Sequence, residues 1–255
     1  MKHLKKIITL IILCITIIWS MKGLNLGLDS LPNNFKYFIE FVGNLFPPDL
    51  SIVPKLIKPI LQTFQIAIIA TFIAIIAMIP LAFLAAKNIN HNKYLCQFFK
   101  TLLGVLRGIP PLLYALLFVS FLGLGPLAGI LAIAFHVVGA LGRFYSESIE
   151  AMDMNPIQAM KMDGANKLQL FYYGIIYGTM EHLIGYSLYF FEYAIRTSTI
   201  LGLVGAGGIG VILIENIHLF KYQRTFTILL IIIGIIIVVD KISSYYRHKL
   251  IKDKY

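Results

Sequence analysis

The stretch EAMDMNPIQAMKMDGANK, residues 150–167, is a long polar interruption in an otherwise apolar chain. Apolar runs precede and follow it. Pro156 favours the start of a short helix, and Gly164 favours its end. A charged helical segment between two apolar runs indicates a structured surface that faces water, and we expect another protein to bind there.

The composition places the chain in the membrane. Hydrophobic residues make up 58% of its 255 residues, charged residues only 13%, and the mean hydropathy is +0.82. Soluble domains usually carry about 25% charged residues. The chain is therefore predicted to be an integral membrane protein.

The apolar runs predict an all-α integral membrane protein with about six transmembrane helices, since a helix needs ~20 apolar residues to cross the bilayer core. Strands of alternating hydrophobicity, which are typical of membrane barrels, do not occur in the sequence. The predicted spans are residues 7–21, 60–86, 101–122, 126–141, 170–195 and 226–246.

The distribution of Lys and Arg predicts that both termini and residues 150–167 are cytoplasmic, because basic residues accumulate on the cytoplasmic side. The basic residues assigned to that side are Lys2, Lys5, Lys6, Lys87, Lys93, Lys100, Arg143, Lys161, Lys167, Arg247, Lys249, Lys252 and Lys254. Fewer are assigned outside: Lys22, Lys36, Lys55, Lys58, Lys221 and Arg224. The net charge of +10 therefore requires no nucleic-acid partner.

The domain organisation predicted is a single membrane domain with an N-terminal extension. Residues 1–58 hold the first helix, which we expect to be retained in spite of its likeness to a secretory signal, and a proline-rich external segment. Residues 59–255 form the main transmembrane domain, including a cytoplasmic segment at 146–169. Cys14 and Cys96 fall in different parts of this topology, so no disulfide between them is expected.

A glycine-rich string, GAGGIG at residues 205–210, matches the dinucleotide-binding pattern G-x-G-x-x-G. The surrounding spans leave no room for a βαβ unit, so we interpret the string as a tightly packed or re-entrant segment at the external membrane edge. Its glycines, with one that precedes it, are Gly202, Gly205, Gly207, Gly208 and Gly210.

No catalytic residue, resident cofactor or metal site is predicted. The sequence has no P-loop pattern, and its histidines and acidic residues lack metal-ligand spacing. His136 and His182 are interpreted as packing residues of the fourth and fifth spans.

Three charged residues within or at the end of predicted spans are candidates for a substrate path, because ionisable groups in a bilayer usually face a bundle interior or a water-filled path. Glu192 and Arg196 lie four residues apart and are oriented to pair on one helix face. They form either a structural pair that pins the helix to the glycine-rich string or an anion-attracting part of the path. Arg107 precedes Pro110 and Pro111, which should break or kink the third span.

Residues 156–164 resemble the cytoplasmic EAA motif of ABC-importer permeases, E-A-A-x-x-x-G, through Pro156, Gln158, Ala159, Met160 and Gly164. Gln158 stands in place of the usual Glu, Met160 in place of the second Ala, and Tyr177 in place of a later Pro. The strings LRGIPPLLYALLFV at 106–119 and TSTILGLVGAGGIG at 197–210 are similar to the permease subunits of phosphonate importers.

This resemblance implies the type I ABC importer permease fold. It also implies a role as a subunit that translocates a small anion, phosphonate or a related phosphorus compound, across the cytoplasmic membrane. The implied partners are two ABC ATPase subunits that use ATP, an external substrate-binding protein and a second permease copy, identical or different. The helix that contains Gln158 would dock on the ATPase.

Two alternatives remain open at the level of sequence. One is an ABC permease for another small solute, such as methionine or thiamine. The other is an ion-coupled secondary transporter, which would usually show two matching halves with broken helices. A membrane-embedded transferase would need clustered acidic residues, and the sequence does not contain them.

Overall fold

A computed structural model describes residues 2–24 and 31–252. These residues divide into two compact units, 1–47 and 48–255. The first unit contains helices α1 (Lys2–Gly23) and α2 (Leu31–Asn44). Within α1, Lys6–Gly23 is long and apolar enough to cross a membrane.

In the part of the chain that the structure describes, the second unit consists of helices joined by short connections. Its α-helices are α3 (Val53–Ala85), α4 (Lys93–Gly108), α5 (Pro111–Leu122), α6 (Pro126–Ala151), α7 (Asn155–Met162), α8 (Lys167–Gln169), α9 (Tyr177–Leu201), α10 (Ile209–His218) and α11 (Tyr222–Lys252). A π-helical segment, Leu170–Ile176, connects α8 to α9, and a 3-10 turn, Gly202–Val204, follows α9.

Four helices among the described residues are long and apolar enough to span a membrane, or up to six if each of two bent pairs counts as one span. The first bent pair is α4 with α5, at 84°, and the second joins Leu170–Val204 to α10, at 41°. The helical class predicted from the sequence is confirmed.

The predicted spans differ from the helices in their bounds, and three of them differ in ways that have a physical reason. The third, 101–122, is two helices separated by the break expected at Pro110. The fourth, 126–141, continues to Ala151, because Tyr145 and Ile149 are buried and Arg143 pairs with Glu147 at 2.5 Å. The fifth continues beyond residue 195 to Val204.

Helix α6 forms the centre of the second unit, where it packs against α3, α4, α5 and α9. Small residues line this contact, and they let helix backbones approach closely in lipid, where no hydrophobic force drives the helices together. A Cβ atom added at Gly139 would lie 2.5 Å from the backbone nitrogen of Arg107 in α4. The small residues of α6 therefore set how closely α4 can pack.

An ion pair joins the segment before α3 to the start of α11. The Nε atom of Arg224 lies 2.8 Å from Oδ2 of Asp49, and Asp49 Oδ1 also accepts hydrogen bonds from Ser51. The hydrogen bonds from Ser51 and Arg224 lower the pKa of Asp49 to about 2. The carboxylate therefore remains charged at neutral pH and holds the two helix starts together.

Candidate functional site

Helix α7 contains the predicted docking segment, and its ends are defined by local hydrogen bonds. Asp153 accepts a hydrogen bond from the backbone nitrogen of Asn155 at 3.0 Å, and Pro156 occupies the first turn. At the other end, the nitrogen of Ala165 donates to the carbonyl of Met160 and that of Gly164 donates to Lys161. Gly164 has φ +83°, so it is the left-handed glycine of a Schellman motif.

The two faces of α7 differ sharply. Ile157 is buried, and its Cγ1 atom would lie 3.1 Å from a Cβ atom placed at Gly174 in the π-helical segment. Met160 is partly buried on the same side, whereas Gln158 and Ala159 are exposed. Met162, at the end of the helix, is 83% exposed. An exposed face with an apolar end is therefore available for a partner.

A cavity of about 620 Å³ lies between α6, α7 and α9. Its walls combine aromatic and polar side chains, among them Phe144, Ser148, Tyr173, Tyr177, His182 and Tyr186. His182 stacks on Tyr186 at 6.1 Å, and Tyr186 accepts a hydrogen bond from Ser148. Pro156 and Met160 of α7 also line the cavity, so a displacement of α7 would change its shape.

Glu192 and Arg196 form an ion pair across one turn of α9. Glu192 is 6% exposed, whereas Arg196 is 50% exposed. Arg247 of α11 lies 3.7 Å from the second carboxylate oxygen of Glu192 and packs over the ring of Tyr189. Glu192 thus connects α9 to α11, while the exposed Arg196 is left with donors for another group.

Arg107 lies in the last turn of α4, just before the break. The broken backbone is held from two sides: His136 of α6 donates from Nδ1 to the carbonyl of Ile109 at 3.1 Å, and Tyr114 donates to the carbonyl of Leu106. The side chain of Arg107 is exposed. Arg107 takes no part in the ion pairs of Glu192 that the structure describes, which are with Arg196 and Arg247.

The glycine-rich string connects α9 to α10 and packs against α3. A Cβ atom at Gly202 would lie 2.4 Å from Cα of Gly210. Thr63 of α3 accepts a hydrogen bond from the nitrogen of Ile209 at 2.9 Å, and Gln62 accepts one from Gly208. Helices flank the string on both sides, so the βαβ context of a dinucleotide site does not occur there.

Sequence reasoning missed α10 and several contacts around α7. Ile157 and Met162 are apolar and could have been assigned to the two faces of α7 from their spacing, but the partner of Ile157 at Gly174 depends on tertiary packing. Within residues 2–24 and 31–252, Cys14 and Cys96 are free, and no group of three His, Cys, Asp or Glu side chains could hold a metal.

Comparison with known proteins gives the family. Residues 78–252 match the family model for binding-protein-dependent transport system inner membrane components. The chain is 39% identical over 215 residues to the permease HtxC of Stutzerimonas stutzeri, which is named for a phosphite transport system; the match covers 84% of this chain and 76% of that protein. It is 35% identical over 190 residues to a phosphate-import permease protein, PhnE, of Mycolicibacterium smegmatis, with 74% of this chain and 36% of that protein covered.

Solved structures share the fold. An inward-facing structure of the MetNI methionine ABC transporter has a chain that superposes with a TM-score of 0.70 at 15% identity, covering 79% of this chain and 99% of that one. A chain of an amino acid ABC transporter superposes with a TM-score of 0.65 at 18% identity, covering 78% of this chain and 96% of that one. The predicted type I ABC importer permease fold is thereby confirmed.

The family and the fold agree with the transport role predicted from the sequence, and that role is confirmed at the level of the family. The family assignment does not depend on the motif at residues 156–164 alone, because the match to the family model extends from α3 to α11. The chain belongs to the family of binding-protein-dependent transport system inner membrane components.

Proposed function

We propose that this chain is the membrane-spanning permease of an ATP-driven importer for a small phosphorus oxyanion, phosphonate or a close relative such as phosphite. The observation that carries the proposal is the sequence similarity to permeases named for phosphite and phosphate import. The exposed Arg196 and Arg107 side chains supply positive charge suited to such an anion.

The family name and the form of α7 support the proposed partners. An external binding protein delivers the substrate, and two separate ATPase subunits bind and hydrolyse ATP, so this chain itself binds no nucleotide. The exposed face of α7, with Gln158, Ala159 and Met162, docks on an ATPase subunit. Gln158 offers an amide in place of a carboxylate, so its contact is a hydrogen bond rather than an ion pair.

The assembled importer contains two permease copies in the cytoplasmic membrane, with both termini and α7 on the cytoplasmic side. The basic residues near the predicted cytoplasmic ends of the helices support this orientation. The translocation path runs between the two copies, where an exposed arginine within the apolar region would meet water or substrate.

The experiment that tests the proposal is uptake by the reconstituted importer. The chain is co-expressed with the ATPase of the same importer, and the complex is purified and placed in liposomes. The substrate-binding protein of that importer is added outside, and ATP is enclosed inside. We expect ATP-dependent uptake of methylphosphonate, phosphite or phosphate, with sulfate as the control anion.

Three results would contradict the proposal, each in a different way. Failure of the chain to co-purify with an ATPase would remove the importer assignment. Uptake driven by an ion gradient without ATP would favour a secondary transporter. ATP-dependent uptake of another solute, with none of the phosphorus oxyanions, would leave an ABC permease of different specificity.

A further inference from the structure

The carboxylate of Glu150 lies in the last turn of α6, directly before the segment that leads to α7. A negative charge at the C-terminal end of a helix is unfavourable, because the carbonyl groups there already carry partial negative charge. Glu150 is therefore expected to have strong compensating donors, and the structure provides them from a different part of the chain.

Those donors come from α4 and from the loop between α3 and α4. The ammonium group of Lys100 lies 2.7 and 2.9 Å from the two carboxylate oxygens of Glu150, and the backbone nitrogen of Lys87 donates to one of them at 2.7 Å. Lys100 is only 8% exposed. A buried ammonium group requires a charged partner, so this pair is fixed in place rather than a loose surface contact.

A second contact strengthens the same junction. Asn88 donates from Nδ2 to the carbonyl of Ile149 at 2.6 Å and contacts the sulfur of Met154. Cys96 of α4 in turn donates to the carbonyl of Ala85 at the end of α3. The ends of α3 and α6 and the start of α4 therefore form one block, which we name the α6 junction: residues 85–88, 96, 100, 149 and 150.

The α6 junction determines where α7 begins. Three residues separate Ala151 at the end of α6 from Asn155 at the start of α7, and two of them, Met152 and Met154, pack on the core. At its start, helix α7 is attached to the α6 junction through this linker, and Ile157 packs it against the π-helical segment before α9.

Helix α4 extends from the α6 junction to the break at residues 109–110. Its 16 residues span ~24 Å. Beyond Lys100 it follows α6 closely: a Cβ atom at Gly142 would lie 2.8 Å from Leu103, and one at Gly139 would lie 2.5 Å from Arg107. Because α4 and α6 are packed along this length, a displacement of the α6 junction moves both helices together.

We propose that Lys100 and Glu150 are positioning residues that transmit a displacement of α7 to α4, and through α4 to Arg107 at the broken span. This inference rests on the proposed function, because α7 is displaced only if an ATPase docks on it. The pair acts at a distance from the substrate, and its role is to make ATP hydrolysis and substrate movement proceed together.

The test compares substrate moved per ATP hydrolysed in the reconstituted importer. The variants are Glu150→Gln, Lys100→Met and the double variant. The matched control is Glu147→Gln, the same substitution one turn earlier in α6, where the carboxylate pairs with Arg143 four residues away in the same helix. We expect the ratio to fall about fivefold or more in the three variants, while ATP hydrolysis continues, and to stay at the wild-type value in the control.

The double variant keeps the test decisive if a single variant does not assemble. Glu150→Gln alone leaves the Lys100 ammonium group buried without its charged partner, which is strongly destabilising. Lys100→Met with Glu150→Gln removes both charges. Both substitutions break the same interaction. The ratio of substrate moved to ATP hydrolysed should therefore fall no further in the double variant than in either single variant that assembles.

Two results would overturn the inference. An unchanged ratio in the assembled double variant would mean that the pair has only a structural role. An equal fall in Glu147→Gln would mean that the loss of any charge near the end of α6 lowers the ratio, so that the Lys100–Glu150 pair has no special part in coupling. The wild-type importer separates these results from failure of the proposed function. A wild-type preparation without ATP-dependent uptake would overturn both proposals, whereas coupled wild-type uptake with an unchanged variant ratio would overturn this one alone.

Discussion

At the scale of single residues, Gly164 shows how one backbone angle limits the choice of side chain. Its φ of +83° ends α7, and no atom lies within 4 Å of the position that a Cβ would take. The glycine is therefore needed for its backbone conformation, not for space. This geometry agrees with the helix end that the sequence predicted at Gly164.

We predict that Gly164→Leu inserts and assembles normally but uncouples ATP hydrolysis from uptake. A leucine in the left-handed conformation costs about 1–2 kcal/mol, so the end of α7 would rearrange. Gly164→Asn is the matched control, since asparagine tolerates this conformation better. The measurement is uptake and ATP hydrolysis in liposomes, and normal coupled transport by Gly164→Leu would remove Gly164 from the coupling segment.

Arg196 gives a second prediction at this scale. Arg196→Ala should reduce anion uptake about tenfold or more, because ionisable groups within a span usually face a polar path and Arg196 is exposed. Complex assembly should be maintained, because the buried Glu192 still has Arg247 nearby. Arg143→Ala removes the arginine of another pair four residues apart and serves as the control. Unchanged uptake by Arg196→Ala would assign that residue a structural role.

At the scale of elements, the glycine-rich string matters because it packs two helix ends against each other. Helix α10 begins where Gly210 meets Gly202, with no space for a methyl group between them. The pattern predicted close packing at the membrane edge. It did not predict the helix that follows, since a short stretch of isoleucine, valine and leucine with one glycine is ambiguous between several structures.

We predict that Gly202→Ala destabilises the protein by about 1–3 kcal/mol, because its Cβ would lie 2.4 Å from a backbone atom of Gly210 that cannot easily move. Gly234→Ala in α11, where no atom lies within 4 Å of the added carbon, should change the stability by less than about 1 kcal/mol. Thermal unfolding in detergent measures both. Equal melting temperatures for the two variants would contradict the packing argument.

At the scale of the whole molecule, the orientation in the membrane remains a prediction from charge. We expect a fluorescent protein fused to the C-terminus to be bright and alkaline phosphatase fused there to be inactive, since both results report a cytoplasmic end. The same pair of fusions at the α10–α11 connection, residues 219–221, should give the opposite result. Active phosphatase at the C-terminus would invert the topology and place α7 on the wrong side for an ATPase.

The sequence by itself determined the membrane class, the helical architecture and the transport family, because each depends on features that persist along the chain: apolar length, the spacing of charge and short glycine and proline strings. It also indicated the break before Pro111 and the polar helix with its terminal glycine, since proline and glycine act through their own backbone.

Only the tertiary structure decided which distant residues meet. Lys100 and Glu150 are separated by 50 positions, and Ile157 of α7 contacts Gly174 of the π-helical segment. No local sequence pattern specifies either contact. The extension of α6 to Ala151 follows from the burial of Tyr145 and Ile149 by neighbouring helices, although charged residues in that stretch indicated an earlier end. Long-range packing and ion pairing override local composition where they compensate its charges, and for this reason the junction between α6 and α7 is a property of the fold.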